Sequence, residues 1–152
     1  MKPFAFSLER MRNYRTQVLD VEKNVLMVLQ KKLADIEESI RICTEFRYEK
    51  QCEMRAKQEQ GSTIRELDEC KFYIENTHRQ LEDLEEERLQ AEHEVEVQRQ
   101  VVIKASQDVS SLDKLEERQL EEYQFLEARD NEKNIQEHVI TQLSYQSNSN
   151  PR

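Results

Sequence analysis

The sequence predicts an all-α fold: two long helices forming an antiparallel coiled-coil hairpin, helix 2 longer than helix 1. Three observations predict it. Of 152 residues, 36% are charged, with one Gly, two Pro and no Trp, a composition suited to long helices and not to a layered domain. A nine-heptad apolar seam runs from Leu67 to Leu126. The only glycine stands just before that seam, with a second apolar stripe on its other side.

The first stripe comprises Met11, Tyr14, Val18, Val21, Val25, Leu29, Leu33, Ile36, Ile40 and Cys43. Its spacings of three and four predict helix 1 from about Ser7 to Lys57, some ~75 Å at 1.5 Å per residue. The run of fours from Val21 to Leu33 reads as a stutter in a coiled coil.

A turn follows at about residues 58–63. Gly61 suits a helix C-terminus, and Ser62 with Thr63-Ile64-Arg65-Glu66 offers a capping box for the next helix. One uninterrupted helix is the alternative, at a cost of about 1 kcal/mol for glycine in its interior.

Helix 2 is expected over about 64–145, some ~120 Å long. Its a positions are Leu67, Ile74, Leu81, Arg88, Val95, Val102, Val109, Glu116 and Tyr123. Its d positions are Cys70, Thr77, Leu84, Ala91, Gln98, Ala105, Leu112, Gln119 and Leu126. If the chain folds back at Gly61 and Ser62, facing residue numbers sum to about 123. Met11 then lies near Leu112, Tyr14 near Val109, Val18 near Ala105 and Val21 near Val102. Leu33 lies near Ala91 and Ile40 near Leu84; along the seam large residues often face small ones, as interdigitated packing prefers.

Charge favours the same pairing. Residues 1–60 hold 12 Lys+Arg and 10 Asp+Glu, and residues 61–152 hold 11 and 22. An acidic helix against a slightly basic one favours the intramolecular hairpin over a parallel self-dimer. Residues 1–146 thus form a single hairpin, and the Ser/Asn-rich 147–152 segment is expected to be a disordered tail. Beyond about residue 117 helix 2 has no partner, yet it carries Tyr123, Phe125, Leu126, Ile135, Val139, Ile140 and Leu143. That overhang must fray, self-associate or be covered by another protein.

Aromatic residues suggest two partner-binding groups. Phe46, Tyr48, Phe72 and Tyr73 gather near the loop end, with Phe72 at an f position that faces away from the seam. Either they shield the seam edge and leave one exposed ring, or they form a patch of rigid anchors for a partner. Phe4, Phe6, Tyr123 and Phe125 sit at the open end, with Ile135 and Val139 beyond; Phe4 and Phe6 could also staple the start of helix 1.

Several classes of function find no support. One glycine excludes a phosphate-binding or dinucleotide loop, there is no His-Glu-x-x-His, and a two-helix rod offers no concave pocket, so the chain is read as no enzyme with no cofactor. The cysteines Cys43, Cys52 and Cys70 are read as reduced, and His78, His93 and His138 have no metal-ligand spacing, so no metal is expected. The acidic run Glu82, Asp83, Glu85, Glu86 and Glu87 argues against nucleic acid. No apolar run reaches the ~20 residues of a membrane span, so direct membrane insertion is not expected and the cytoplasm is the expected compartment.

The termini carry a family resemblance. Phe6-Ser7-Leu8-Glu9-Arg10-Met11-Arg12-Asn13-Tyr14-Arg15 resembles the F-x-L-x-x-hydrophobic-x-x-Y/L-R opening of the bacterial flagellar export protein FliJ family. Ala105, then Leu112-Asp113-Lys114-Leu115-Glu116-Glu117-Arg118 and Tyr123, resembles that family's A-x(n)-L-x-K-L-x-x-R segment. Where the family often has an Asp-Glu pair near the end of the last helix, this chain reads Ile135-Gln136-Glu137. The resemblance covers essentially the whole chain. It implies a stalk-like component of the flagellar type III export apparatus, peripherally associated with the inner face of the cell membrane. The implied partners are a hexameric export ATPase, the cytoplasmic part of the export gate, and substrate chaperones. The injectisome stalk protein and a generic coiled-coil tether are the alternatives.

Overall fold

The computed structural model describes residues 2–149. It holds two helices, α1 (Glu9–Gln60) and α2 (Ile64–Asn148), packed as an antiparallel hairpin, with no strand among the described residues. The hairpin and the longer second helix agree with the sequence.

Helix boundaries follow local chemistry. α1 begins two residues later than expected, because the Glu9 N–H bonds to the Phe6 carbonyl at 3.3 Å and residues 7–8 form a turn. α1 runs three residues past Lys57 and stops at Gln60, before Gly61 at φ 86°, the left-handed conformation that glycine adopts without a Cβ penalty. Thr63 caps α2: its hydroxyl accepts the Glu66 N–H at 3.3 Å. The reciprocal arm of the expected capping box is replaced, since the Glu66 carboxylate accepts from the Ser62 hydroxyl instead. At its far end α2 continues to Asn148, beyond the expected stop at Tyr145. Ser147 and Asn148 are therefore helical where a disordered tail was expected, because the Ser147 hydroxyl and the Ser149 N–H bond back to the Ser144 and Tyr145 carbonyls. Positions 150–152 of that tail lie outside the described residues.

The chain divides into two compact units, one made of residues 19–104 and the other of 1–18 with 105–152. In the first, the contacts between helices follow the predicted register. Cys43 Sγ meets Gln80 Oε1 at 4.0 Å, Arg47 meets His78 at 3.3 Å and Lys32 meets Glu94 at 3.4 Å. Each pair sums close to 123. In the second unit Arg15 meets Asp108 at 3.8 Å on the same sum, while the Arg12–Glu116 pair departs from it, at 128.

The α2 seam is in the predicted phase. Every a and d position from Leu67 to Tyr123 is buried or half-buried, the most enclosed being Ala91, Thr77 and Cys70. Thr77 satisfies its buried hydroxyl by donating to the Tyr73 carbonyl at 2.6 Å. The final d position, Leu126, is 51% exposed, so the seam ends one step short of its apolar pattern.

The α1 seam differs from expectation. Apart from Glu53, the less exposed α1 residues of the 19–104 unit are Leu19, Glu22, Leu26, Leu29, Leu33, Ile36, Ile40, Cys43, Arg47, Lys50, Met54 and Lys57. These alternate by three and four without a break, so there is no stutter. Val21 and Val25 lie one position off the seam, at 59% and 41% exposure, as do Met11 and Tyr14 in the other unit at 49% and 61%. The expected pairings of Val21, Met11 and Tyr14 across the seam are therefore replaced. The physical reason is polar: Glu22 and Arg12 take seam positions because Gln98 and Glu116 answer them across the interface.

Candidate partner-binding surfaces

At the loop end, α1 contributes Phe46 and α2 contributes Phe72 and Tyr73. Phe46 and Tyr73 meet edge to face with centroids 6.1 Å apart, and Phe72 meets Tyr73 at 5.9 Å. Lys50, one turn after Phe46, lies 5.6 Å from the Phe46 ring and 5.0 Å from the Tyr73 ring. Its ammonium also bonds Glu53 at 3.1 Å, which raises its pKa and lowers that of Glu53. Phe72 is 64% exposed, while Phe46 and Tyr73 are only partly covered. Three of the four aromatic residues named from the sequence thus form one ring cluster. Tyr48, 68% exposed, takes no part in those ring contacts. The sequence reading missed Lys50, although its i,i+4 spacing from Phe46 was visible.

In the 1–18/105–152 unit the N-terminal segment lies against α2. The Tyr123 hydroxyl donates to the Lys2 carbonyl at 2.5 Å, and the Phe4 and Tyr123 rings stand 5.6 Å apart. Phe6 is 7% exposed beneath the Arg12 guanidinium, which lies 5.6 Å from its ring centroid and pairs with Glu116. Phe6 is therefore packing, with little surface left for a partner, and Phe4 and Tyr123 are half-buried by each other. Phe125 remains 63% exposed, with Arg129 6.0 Å above its ring. Beyond Glu127, every described residue of α2 is exposed, including Ile135, Val139, Ile140 and Leu143. The packed Phe4, Phe6 and Tyr123 are thus separate from the open surface, which begins at Phe125.

No group of His, Cys, Asp and Glu able to hold a metal ion occurs among the described residues, and no helix there is long and apolar enough to cross a membrane. One surface concavity is bordered by the half-buried seam residues Arg47 and Ile74 and the exposed His78 and Arg79.

The family described as flagellar FliJ protein matches residues 4–148. The chain belongs to the FliJ family. The match spans both helices, the ring cluster and the exposed end of α2. No curated protein and no solved structure matches the chain significantly. Membership ties this chain to flagellar protein export, in a family of non-enzymatic export components.

Proposed function

We propose that this FliJ-family protein is the stalk of the flagellar export apparatus, binding and stimulating the hexameric export ATPase and linking it to the export gate and substrate chaperones. One observation carries the reading most. α2 outlasts its intramolecular partner, and the stretch beyond Glu127 exposes Ile135, Val139, Ile140 and Leu143 along a helix with nothing packed on it. A protein that displays such a helix gains by inserting it into a ring-shaped partner that covers it. The Phe46–Tyr73–Phe72 cluster, about sixty residues of α2 away, supplies a second set of aromatic anchors, which we assign to the gate or a chaperone.

In this reading the protein has no catalytic step of its own. Its carboxylates lie along solvated helix faces, in salt bridges such as Arg41–Glu38 and Arg88–Glu85, or, for Glu22, against the Gln98 amide in the seam. It works in the cytoplasm, held at the membrane through its partners. The test is the hydrolysis rate and oligomeric state of the cognate export ATPase, alone, with the full chain, and with a chain ending at Glu127. Stimulation and hexamer assembly that disappear on truncation support the stalk. An active ATPase indifferent to the intact chain sinks it.

A further inference from the structure

The segment before α1 divides into a fixed part and a strap. Phe6 is fixed: it is buried beneath the Arg12 guanidinium, and its carbonyl accepts the Glu9 N–H that opens α1. Residues 2–5 precede it outside any helix and, among the described residues, share no backbone–backbone hydrogen bond with the rest of the chain. Two contacts tie this strap to α2, both through Tyr123. The Phe4 ring stands 5.6 Å from the Tyr123 ring, and the Tyr123 hydroxyl donates to the Lys2 carbonyl at 2.5 Å. Phe4 and Tyr123 are half-buried, whereas Lys2, Pro3 and Ala5 are exposed.

Tyr123 stands on the border between covered and open α2. It is the last a position of the seam, and Leu126, the next d position on the same stripe, is 51% exposed. One apolar stripe is thus covered by the strap at Tyr123 and bare at Leu126. Packing along a helix advances in a and d steps, so a partner seated on Leu126 takes Tyr123, the neighbouring step, as its next contact. Phe4 occupies that place.

We infer that the strap is an autoinhibitory cover: residues 2–5 mask Tyr123, and the partner that takes the open end of α2 displaces Phe4 to complete its footprint. This rests on the stalk reading above, in which that partner is the export ATPase. The hinge is Ala5, between the half-buried Phe4 and the enclosed Phe6, so opening the strap costs α1 no hydrogen bond. Its two contacts are offset by the entropy of ordering the strap, which leaves the closed form favoured by a narrow margin, on the order of tenfold. A site competent only when the strap is open binds with an affinity reduced by that same factor.

The experiment uses the full chain with para-fluorophenylalanine in place of Phe4, and the cognate export ATPase. Adding the ATPase is expected to move the fluorine signal from its packed position to the one it takes in Tyr123→Ala, where the ring has no counterpart. Phe4→Ser removes the strap's ring and Tyr123→Phe only the hydroxyl. With helix content unchanged by circular dichroism, both should bind the ATPase more tightly than wild type in calorimetry, by about five- to tenfold for the first and about two- to threefold for the second. An ATPase that binds the intact chain but binds both variants equally or more weakly, or that leaves the fluorine signal in place, overturns the cover and leaves the stalk standing. An ATPase that binds neither the intact chain nor the variants overturns both.

Discussion

The side-chain amide of Gln98 donates across the hairpin to the backbone carbonyl of Glu22, at 3.0 Å, and to the Glu22 carboxylate. A polar pair in an otherwise apolar seam fixes the alignment of the two helices, because any slip leaves both groups half-buried without partners. Gln98→Ala is expected to cost about 1–2 kcal/mol, most of it from the stranded Glu22 carboxylate. Replacing both by leucine should recover or exceed wild-type stability while relaxing the register. Urea denaturation of the single and double variants checks both; a Gln98→Ala midpoint equal to wild type would contradict the assigned role.

Ala91, 2% exposed at a d position, and Leu89, 55% exposed two residues away, invert the usual order of size and burial. Ala91→Leu should destabilise by about 1–3 kcal/mol through overpacking. Leu89→Ala should change stability by no more than about 0.5 kcal/mol. Thermal unfolding followed by circular dichroism distinguishes them, and similar losses at the two sites would mean that the seam is in another phase.

Gly61 has φ 86° and open space around the position of a Cβ. The penalty of substitution there is conformational alone. Gly61→Ala is expected to lower stability by about 1 kcal/mol, and Gly61→Asn by less, since asparagine tolerates the left-handed region better. Equal effects of the two substitutions in chemical denaturation would count against a conformational origin.

Glu38 accepts hydrogen bonds from Arg41 at 3.0 and 2.6 Å, which hold its pKa below the ordinary 4.5. Hydrogen bonds from Lys50 and then Lys57 do the same for Glu53, and one from Arg88 for Glu85. A carboxylate depressed in the folded state contributes stability that is complete above its unfolded pKa and lost as pH falls through its folded one. The contribution of these pairs should therefore fade only below pH 4.5. Carboxyl-carbon NMR titration should place all three midpoints below 4.5, and Arg41→Gln should move Glu38 up toward that value while leaving Glu85 in place. A Glu38 midpoint insensitive to Arg41→Gln would remove the pair from this account.

The candidate surfaces were partly legible in the sequence. The ring cluster was, because Phe72 and Tyr73 break the α2 heptad pattern at positions the pairing rule sets beside Phe46. Phe6 was not: its burial depends on Arg12 lying across the ring while pairing with Glu116, a three-residue arrangement spanning more than a hundred positions of chain. Tyr48 shared the sequence neighbourhood of the cluster but takes no part in its ring contacts.

The sequence by itself determined two helices, their turn at Gly61, the phase of α2 and the pairing level near 123. Each follows from local chemistry or from a single unambiguous periodicity. Only the tertiary structure decided the phase of α1. That helix carries two interleaved apolar stripes, one through Val21, Val25 and Val28 and one through Leu19, Leu26 and Leu29, and hydrophobicity alone prefers neither. The choice came from the partner helix, where Gln98 satisfies Glu22 in one phase and turns the valines outward to solvent.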